Sequence, residues 1–337
     1  MKKIVLLLLL VAVVGGIALY LSSSDDPFRS SGVEQSDFAI ADTASIGKIV
    51  IVDRSGVVAK LTRGENGWIL NGKYPAREDG IQTLLKTFKN VYIQRPVSRE
   101  SLEEVNRVMA TSTKKVEIYD LEGELIKTWY VGHSTMDQKG TFMLLETPEN
   151  GKSSVPFIMD MKGFIGMLNT RFFTDENEWR SVQLLSYPDL NLQEIEVEYP
   201  KQPEASFSIR YDGGNDLRLF DGNGLSVAAY DTTTLKDYMF NFKQLSFENF
   251  KTGLTAVQND SVKSTIPYQV IRISDQRTTH EISLWAKGAT NQSSTADSSG
   301  IDLERIYGQY NDGELAIAQR FMWDKFRAPL KAFLSKE

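Results

Sequence analysis

Two histidines, His133 and His280, are the only imidazoles in the chain, and there is no cysteine. Thiolate nucleophiles, cysteine-ligated zinc, iron–sulfur clusters and disulfides are therefore excluded. So is the lipidated cysteine of a bacterial lipoprotein. No H-E-x-x-H zinc helix is present. His133 lies in Gly132-His133-Ser134-Thr135-Met136, which opens like the G-x-S-x-G nucleophile elbow. Met136 stands where the elbow needs its last glycine, because that turn packs tightly. The local pattern runs from strand to loop and reads as a solvated loop.

Other fragments of known sites fail in the same way. Gly151-Lys152-Ser153 matches the tail of a phosphate-binding loop, but Glu146 occupies the place of its first glycine, and a hairpin turn explains it. Gly222-x-Gly224 lacks the third glycine of a dinucleotide fingerprint. Asp212, Asn215, Asp216, Asp221 and Asn223 suggest calcium by type, yet Thr232 sits where the closing acid belongs. Turn formation at Asp212-Gly213 and Asp221-Gly222 accounts for them. A carboxylate pair for glycoside cleavage is a spatial property, and among 44 acidic residues no pair stands out. Phe172-Phe173 and Trp129-Tyr130 read as core. The sequence assigns no catalytic, cofactor-binding or metal-ligating residue and no cofactor.

The positioning elements begin with a membrane segment. Lys2 and Lys3 precede an unbroken apolar run from Ile4 to Leu21, and Ser22-Ser23-Ser24-Asp25-Asp26-Pro27 ends it. At ~1.5 Å per residue, a helix of that length crosses a ~30 Å hydrocarbon core. Basic residues before it and acidic ones after it put the N-terminus in the cytoplasm and the rest outside. A cleaved signal peptide shares the basic start, but no small-x-small cleavage site lies near Tyr20 to Ser24. The expectation is an inner-membrane, single-pass protein held through Ile4 to Leu21, with a periplasmic or otherwise extracytoplasmic C-terminal domain.

The 337-residue chain is 41% hydrophobic and carries a net charge of −6, enough for a large core and against nucleic acid as a partner. Residues 22–37 read as a tether. Ile49–Val52, Val57–Thr62 and Trp68–Leu70 form a meander joined by glycine-bearing turns. Ile81, Leu84, Leu85 and Phe88 make the apolar stripe of a helix. A second helix is expected to start at Ser101, with Glu104 completing a capping box and Leu102, Val105, Val108 and Met109 facing the core. Strands follow at 115–119, 125–131, 141–145 and 155–159, then a short helix at Phe164 to Leu168.

The second half repeats this order. Strands at 194–199, 206–211 and 217–220 precede a helix with Leu235, Tyr238, Met239 and Phe242 on one face. Strands at 268–274, 281–286, 303–310 and 314–318 and a helix from about Arg320 complete it. Asp120 matches Asp275, while Trp129 before Gly132 matches Trp285 before Gly288. Residues 288–300 read as a long mobile hairpin loop. The predicted fold is α+β: two related modules of mostly antiparallel sheet with packed helices, at 38–185 and 186–337. One transmembrane helix, residues 1–21, and the tether precede them.

Asp42-Thr43-Ala44-Ser45-Ile46-Gly47-Lys48-Ile49, Gly67-Trp68-Ile69-Leu70-Asn71 and Tyr74 are joined by Lys115-Val116-Glu117-Ile118-Tyr119-Asp120, Tyr130-Val131-Gly132, Gly163-Phe164-Ile165-Gly166 and Arg171-Phe172. This set resembles the DUF4340 family of uncharacterised membrane-anchored bacterial proteins, over roughly residues 38–200. The motifs are structural landmarks and transfer no site residue. Family members are often encoded beside ABC-type exporter components related to gliding-motility proteins, so the resemblance implies an envelope complex. Asp42-Thr43-Ala44 and Asp260-Ser261-Val262 also resemble the short O-glycosylation site of exported Bacteroidota proteins.

The expected function is a noncatalytic, membrane-anchored accessory or partner-binding component of an envelope complex, with an ABC-type transporter among the partners implied. A glycan- or lipid-binding envelope module is the alternative, followed by a carboxylate-dependent envelope hydrolase.

Overall fold

The computed structural model describes residues 37–211, 216–290 and 295–335. The expected transmembrane helix and nearly all of the tether lie outside the described residues. Among the described residues no helix is long and apolar enough to cross a membrane. The chain divides into two compact units between Ser181 and Val182. That division precedes the expected 185/186 boundary because Gln183–Ser186 is a strand paired with Gln244–Ser246 of the second unit.

The first unit begins with β1 (Ile46–Val52), β2 (Val58–Gly64), β3 (Gly67–Leu70) and β4 (Tyr74–Pro75). Then come α1 (Glu78–Asn90), β5 (Val91–Pro96) and α2 (Arg99–Ser112). The unit continues with β6 (Lys114–Asp120), β7 (Leu125–Ser134), β8 (Thr141–Thr147), β9 (Gly151–Lys152), β10 (Phe157–Met161) and α3 (Glu176–Trp179). One sheet runs β4-β3-β2-β1-β6-β7-β8-β10-β5, with β9 paired to β8.

The second unit contains β11 (Gln183–Ser186), β12 (Glu194–Glu198), β13 (Phe207–Tyr211), β14 (Leu217–Asp221), α4 (Thr232–Phe240), β15 (Gln244–Ser246) and α5 (Ala256–Lys263). It ends with β16 (Gln269–Ser274), β17 (Thr279–Gly288), β18 (Ile301–Tyr310), β19 (Leu315–Gln319) and α6 (Arg320–Asp324). Its main sheet runs β14-β13-β12-β16-β17-β18-β19. Beyond β19, Asn249 bridges Ile317, at the position β5 holds beside β10 in the first unit. Both sheets thus follow one order: a three-strand meander, a helical excursion, and a return strand paired antiparallel to the first strand. The architecture is α+β and mostly antiparallel.

Side chains alternate across a strand, so each sheet has two faces to cover. In the first unit α1 contributes Ile81, Leu84 and Phe88 to the main core, which includes Trp129, Met143, Leu145 and Met159. The opposite face carries Phe142, Leu144 and Ile158 under Val105 and Met109 of α2. The second unit repeats the arrangement. Leu235, Tyr238 and Met239 of α4 join Ile282, Leu284 and Ile306, while Val262 of α5 packs over Trp285, Tyr307, Leu315 and Ile317. Where an element crosses close to the sheet, glycine supplies the room. A Cβ on Gly308 would stand 2.5 Å from the Phe247 ring, and one on Gly132 would stand 3.0 Å from Met109 Cγ.

Several expectations need correction. The second helix starts at Arg99 with Ser98 as its N-cap and no side-chain capping bond; Ser98 Oγ donates to Ser101 Oγ instead. The capping box lies at α5, where Thr255 and Gln258 bond each other's backbone amides. Phe164 to Met167 is not helical; a 3-10 turn begins only at Leu168 and runs to Arg171. The strand expected at 155–159 runs 157–161. Trp129 and Trp285 are not equivalent, since Trp129 faces the α1 core and Trp285 the α5 side. An odd shift in register moves a side chain to the other face. Asp120 and Asp275 do correspond, each opening the hairpin turn after its strand, with its carboxylate accepting backbone amides.

Candidate functional site

A cavity of about 400 Å³ lies in the second unit, within the usual size range for small-molecule sites. Two tyrosines form one wall. Glu198 at the end of β12 pairs with Val270 of β16, so Tyr199 and Tyr268 emerge side by side at the same sheet end. Ile306 and Ala286, a cross-strand pair on β18 and β17, continue the apolar wall. The rim carries Lys201, Arg320, Arg327 and Asp297.

Hydrogen bonds fix this frame. Tyr199 donates its hydroxyl proton to the Ala328 carbonyl at 3.0 Å and accepts from Gln269 Nε2 at 3.3 Å. Gln269 is fully buried, and its Nε2 also donates to the Phe326 carbonyl at 2.6 Å. Tyr238 donates to that same carbonyl. The turn carrying Arg327 and Pro329 is thereby pinned to the sheet end. Gln269 Oε1 has no hydrogen-bond partner among the described residues.

The charged side chains on the rim are mostly cationic. Arg320 Nε and Arg327 Nη1 share the single carboxylate of Asp324, at 3.8 and 3.5 Å. Lys201 is exposed and forms no ion pair among the described residues. The Arg327 guanidinium lies 5.5 Å from the centre of the Tyr268 ring, a cation–π distance. Burial pushes the Tyr268 hydroxyl up to about 12 and the Tyr199 hydroxyl higher still. Both remain protonated donors at neutral pH. Asp297 is held below the usual carboxylate range first by its bond from Ser299 and then by the Ile301 amide. The lining therefore offers donors, positive charge and apolar surface, with one carboxylate and no imidazole, thiol or serine hydroxyl.

The residues singled out by type are scattered. His133 and Ser134 belong to the end of β7 rather than to a solvated loop, and Ser134 pairs with Thr141. The His133 ring lies tilted against Phe142, 5.0 Å between centres, and its Nδ1 has no hydrogen-bond partner among the described residues. Gly151-Lys152 forms the β8–β9 hairpin, with φ of 66° at Gly151. Asp221 accepts amide protons from Asn223 and Leu225, so it shapes a turn. Asp212 and Asn215 lie outside the described residues. No group of three or more potential metal-ligating residues is assembled among the described residues. Asp42 caps a 3-10 turn, and Asp260-Ser261-Val262 lies within α5.

His280 joins an arrangement that looks like a proton relay. Its Nδ1 is 2.6 Å from the Tyr310 hydroxyl, and its Nε2 is 3.7 Å from Asp275 Oδ2. Tyr187 donates to the same Asp275 oxygen at 3.1 Å. Burial raises the Tyr310 and Tyr187 hydroxyls, so neither is an activated nucleophile. The backbone amides of Arg277 and Thr278 hold Asp275 down. This cluster ties the β16–β17 turn to the end of β18.

No family model, curated protein or solved structure matches the chain. No sequence motif marks the cavity, whose residues come from four separated segments. The only hints in the sequence were Tyr268 at the start of a predicted strand and Arg320 and Arg327 in the helix predicted from about Arg320.

Proposed function

We propose that this chain is a noncatalytic, membrane-anchored extracytoplasmic protein that serves an envelope complex as an accessory, partner-binding component. The observation that carries the reading is the apolar run Ile4 to Leu21, bracketed by Lys2-Lys3 and Asp25-Asp26. Leaving that surface in water costs far more than leaving it in lipid, and the flanking charges set its direction. The resemblance of residues 38–200 to the DUF4340 family supports the same placement and an ABC-type transporter as a partner class. The matching strand orders support two related modules that arose by duplication, dividing between Ser181 and Val182. Groups able to do chemistry, such as His280, Asp275, Asp53 and Asp221, are engaged in fixing turns and strand ends.

Crosslinking in intact cells, followed by mild detergent extraction and mass spectrometry, tests the reading. A defined membrane partner should co-purify. Recovery as a lone monomer under every crosslinking condition would defeat it, as would a C-terminal reporter active only in the cytosol. A ligand-binding envelope module is the second reading, favoured specifically by the enclosed cavity of the second unit.

A further inference from the structure

We propose that the cavity of the second unit binds a small organic anion, a carboxylate or phosphate head held by Lys201, Arg320 and Arg327 with its apolar body against Tyr268 and Ile306. This inference concerns only the interior of the second unit and stands whether or not the chain docks on a protein partner.

Charge sets the sign of the ligand. Three cations line the rim, against Asp297 in the lining and Asp324 behind it. Both arginines lean on Asp324, which leaves Lys201 unmatched among the described residues. A cation entering here meets net repulsion; an anion completes the set. Arginine and lysine side by side offer charge-assisted bonds to planar carboxylate and to phosphate alike. Tyr268 adds a donor, because its hydroxyl stays protonated at neutral pH and bonds no protein acceptor among the described residues.

The walls set the body of the ligand. Ala286, Ile301, Ile306 and Pro329 present apolar surface beside the Tyr268 ring. Water held against those walls gains little hydrogen bonding, so an apolar ligand body replaces it favourably. A neutral sugar fits less well. One face of Tyr268 is already covered by the Arg327 guanidinium, and the lining provides one carboxylate and one amide side chain to accept or share its hydroxyls. A volume near 400 Å³ suits a substituted aromatic acid or a short acyl or alkyl phosphate.

The test uses the full chain in a neutral detergent and isothermal titration with benzoate, phenyl phosphate, dihexanoyl phosphatidic acid and uncharged benzyl alcohol. At least one anion should bind about tenfold or more tighter than benzyl alcohol. Tighter binding of the phosphatidic acid assigns a lipid source, and tighter binding of the others a soluble metabolite. Lys201→Glu, at an exposed position whose side chain makes no bond among the described residues, should keep the wild-type melting temperature and weaken the preferred anion about tenfold or more. Arg320→Gln should weaken it as well. Equal affinity for the neutral analogue overturns the proposal, and so does undiminished anion binding by a folded Lys201→Glu protein.

Discussion

The Lys127 ammonium reaches from β7 to the first described residue, Asp37. Its Nζ lies 3.0 Å from Asp37 Oδ2 and also donates to the carbonyls of Asp37 and Ala39. Lys127 is buried while the Asp37 side chain is largely exposed. The energy therefore resides mainly in satisfying a buried cation with backbone acceptors, and less in the ion pair. This bond fixes where the preceding chain meets the first unit, and Phe38 packs beside it against Trp129 and Phe157.

Lys127→Met should lower stability by about 1–3 kcal/mol, because two carbonyls lose a buried donor. Urea denaturation measures the loss. Hydrogen exchange should accelerate at the Ile40 amide, which donates to Phe88. An unchanged midpoint would mean that the strap is held by Phe38 alone.

Lys287 and Asp302 form a buried ion pair at 2.8 Å, with side chains 9% and 1% exposed. Asp302 also accepts the amides of Glu304 and Arg305. Lys287→Met alone removes the cation from a buried carboxylate and should cost about 3–5 kcal/mol. Adding Asp302→Asn keeps an amide acceptor without the charge, so the double variant should recover much of that loss in the same denaturation assay. A double variant no better than the single one would contradict this account.

Gly308 faces the Phe247 ring so closely that a methyl group cannot enter without moving a buried aromatic side chain. Gly308→Ala should destabilise the protein by about 1–3 kcal/mol through overpacking. Combining it with Phe247→Leu should return part of the loss. Thermal melts of the three proteins decide the matter.

Asp53 accepts hydrogen bonds from Ser55 and Thr174, and these hold its carboxyl below the ordinary 3.8. A depressed folded-state pKa adds stability that is present above the unfolded value and lost as pH falls through the folded one. The wild type should therefore melt above Asp53→Asn at neutral pH, and the gap should close as pH drops below about 4. A gap that stays constant into acid would show that the carboxylate charge contributes nothing.

The sheet was legible in the sequence where alternation and turn glycines agree. β1, β2 and β3 follow from Ile49-Val50-Ile51-Val52 and the turns at Gly56 and Gly67. β5 was not expected, because Val91 follows α1 without a turn residue and its partner β10 is remote in sequence. α5 was also missed, although Thr255 and Gln258 carry a capping-box spacing; its helix is short and weakly apolar. The tryptophan landmarks misled because equal spacing to a glycine says nothing about which face a strand presents. The cavity was illegible for a different reason. Its tyrosines, arginines and lysine have ordinary identities and converge only through the pairing of β12 with β16 and the turn after α6.

The return strand in each unit has a consequence for synthesis. One edge of β1 waits for β6; β12 waits in the same way for β16. Both helices of each excursion must emerge before the return strand can pair with the first. Until then the chain carries an open β edge with half its hydrogen bonds unmade, which is the condition that invites mispairing and calls for a holding chaperone.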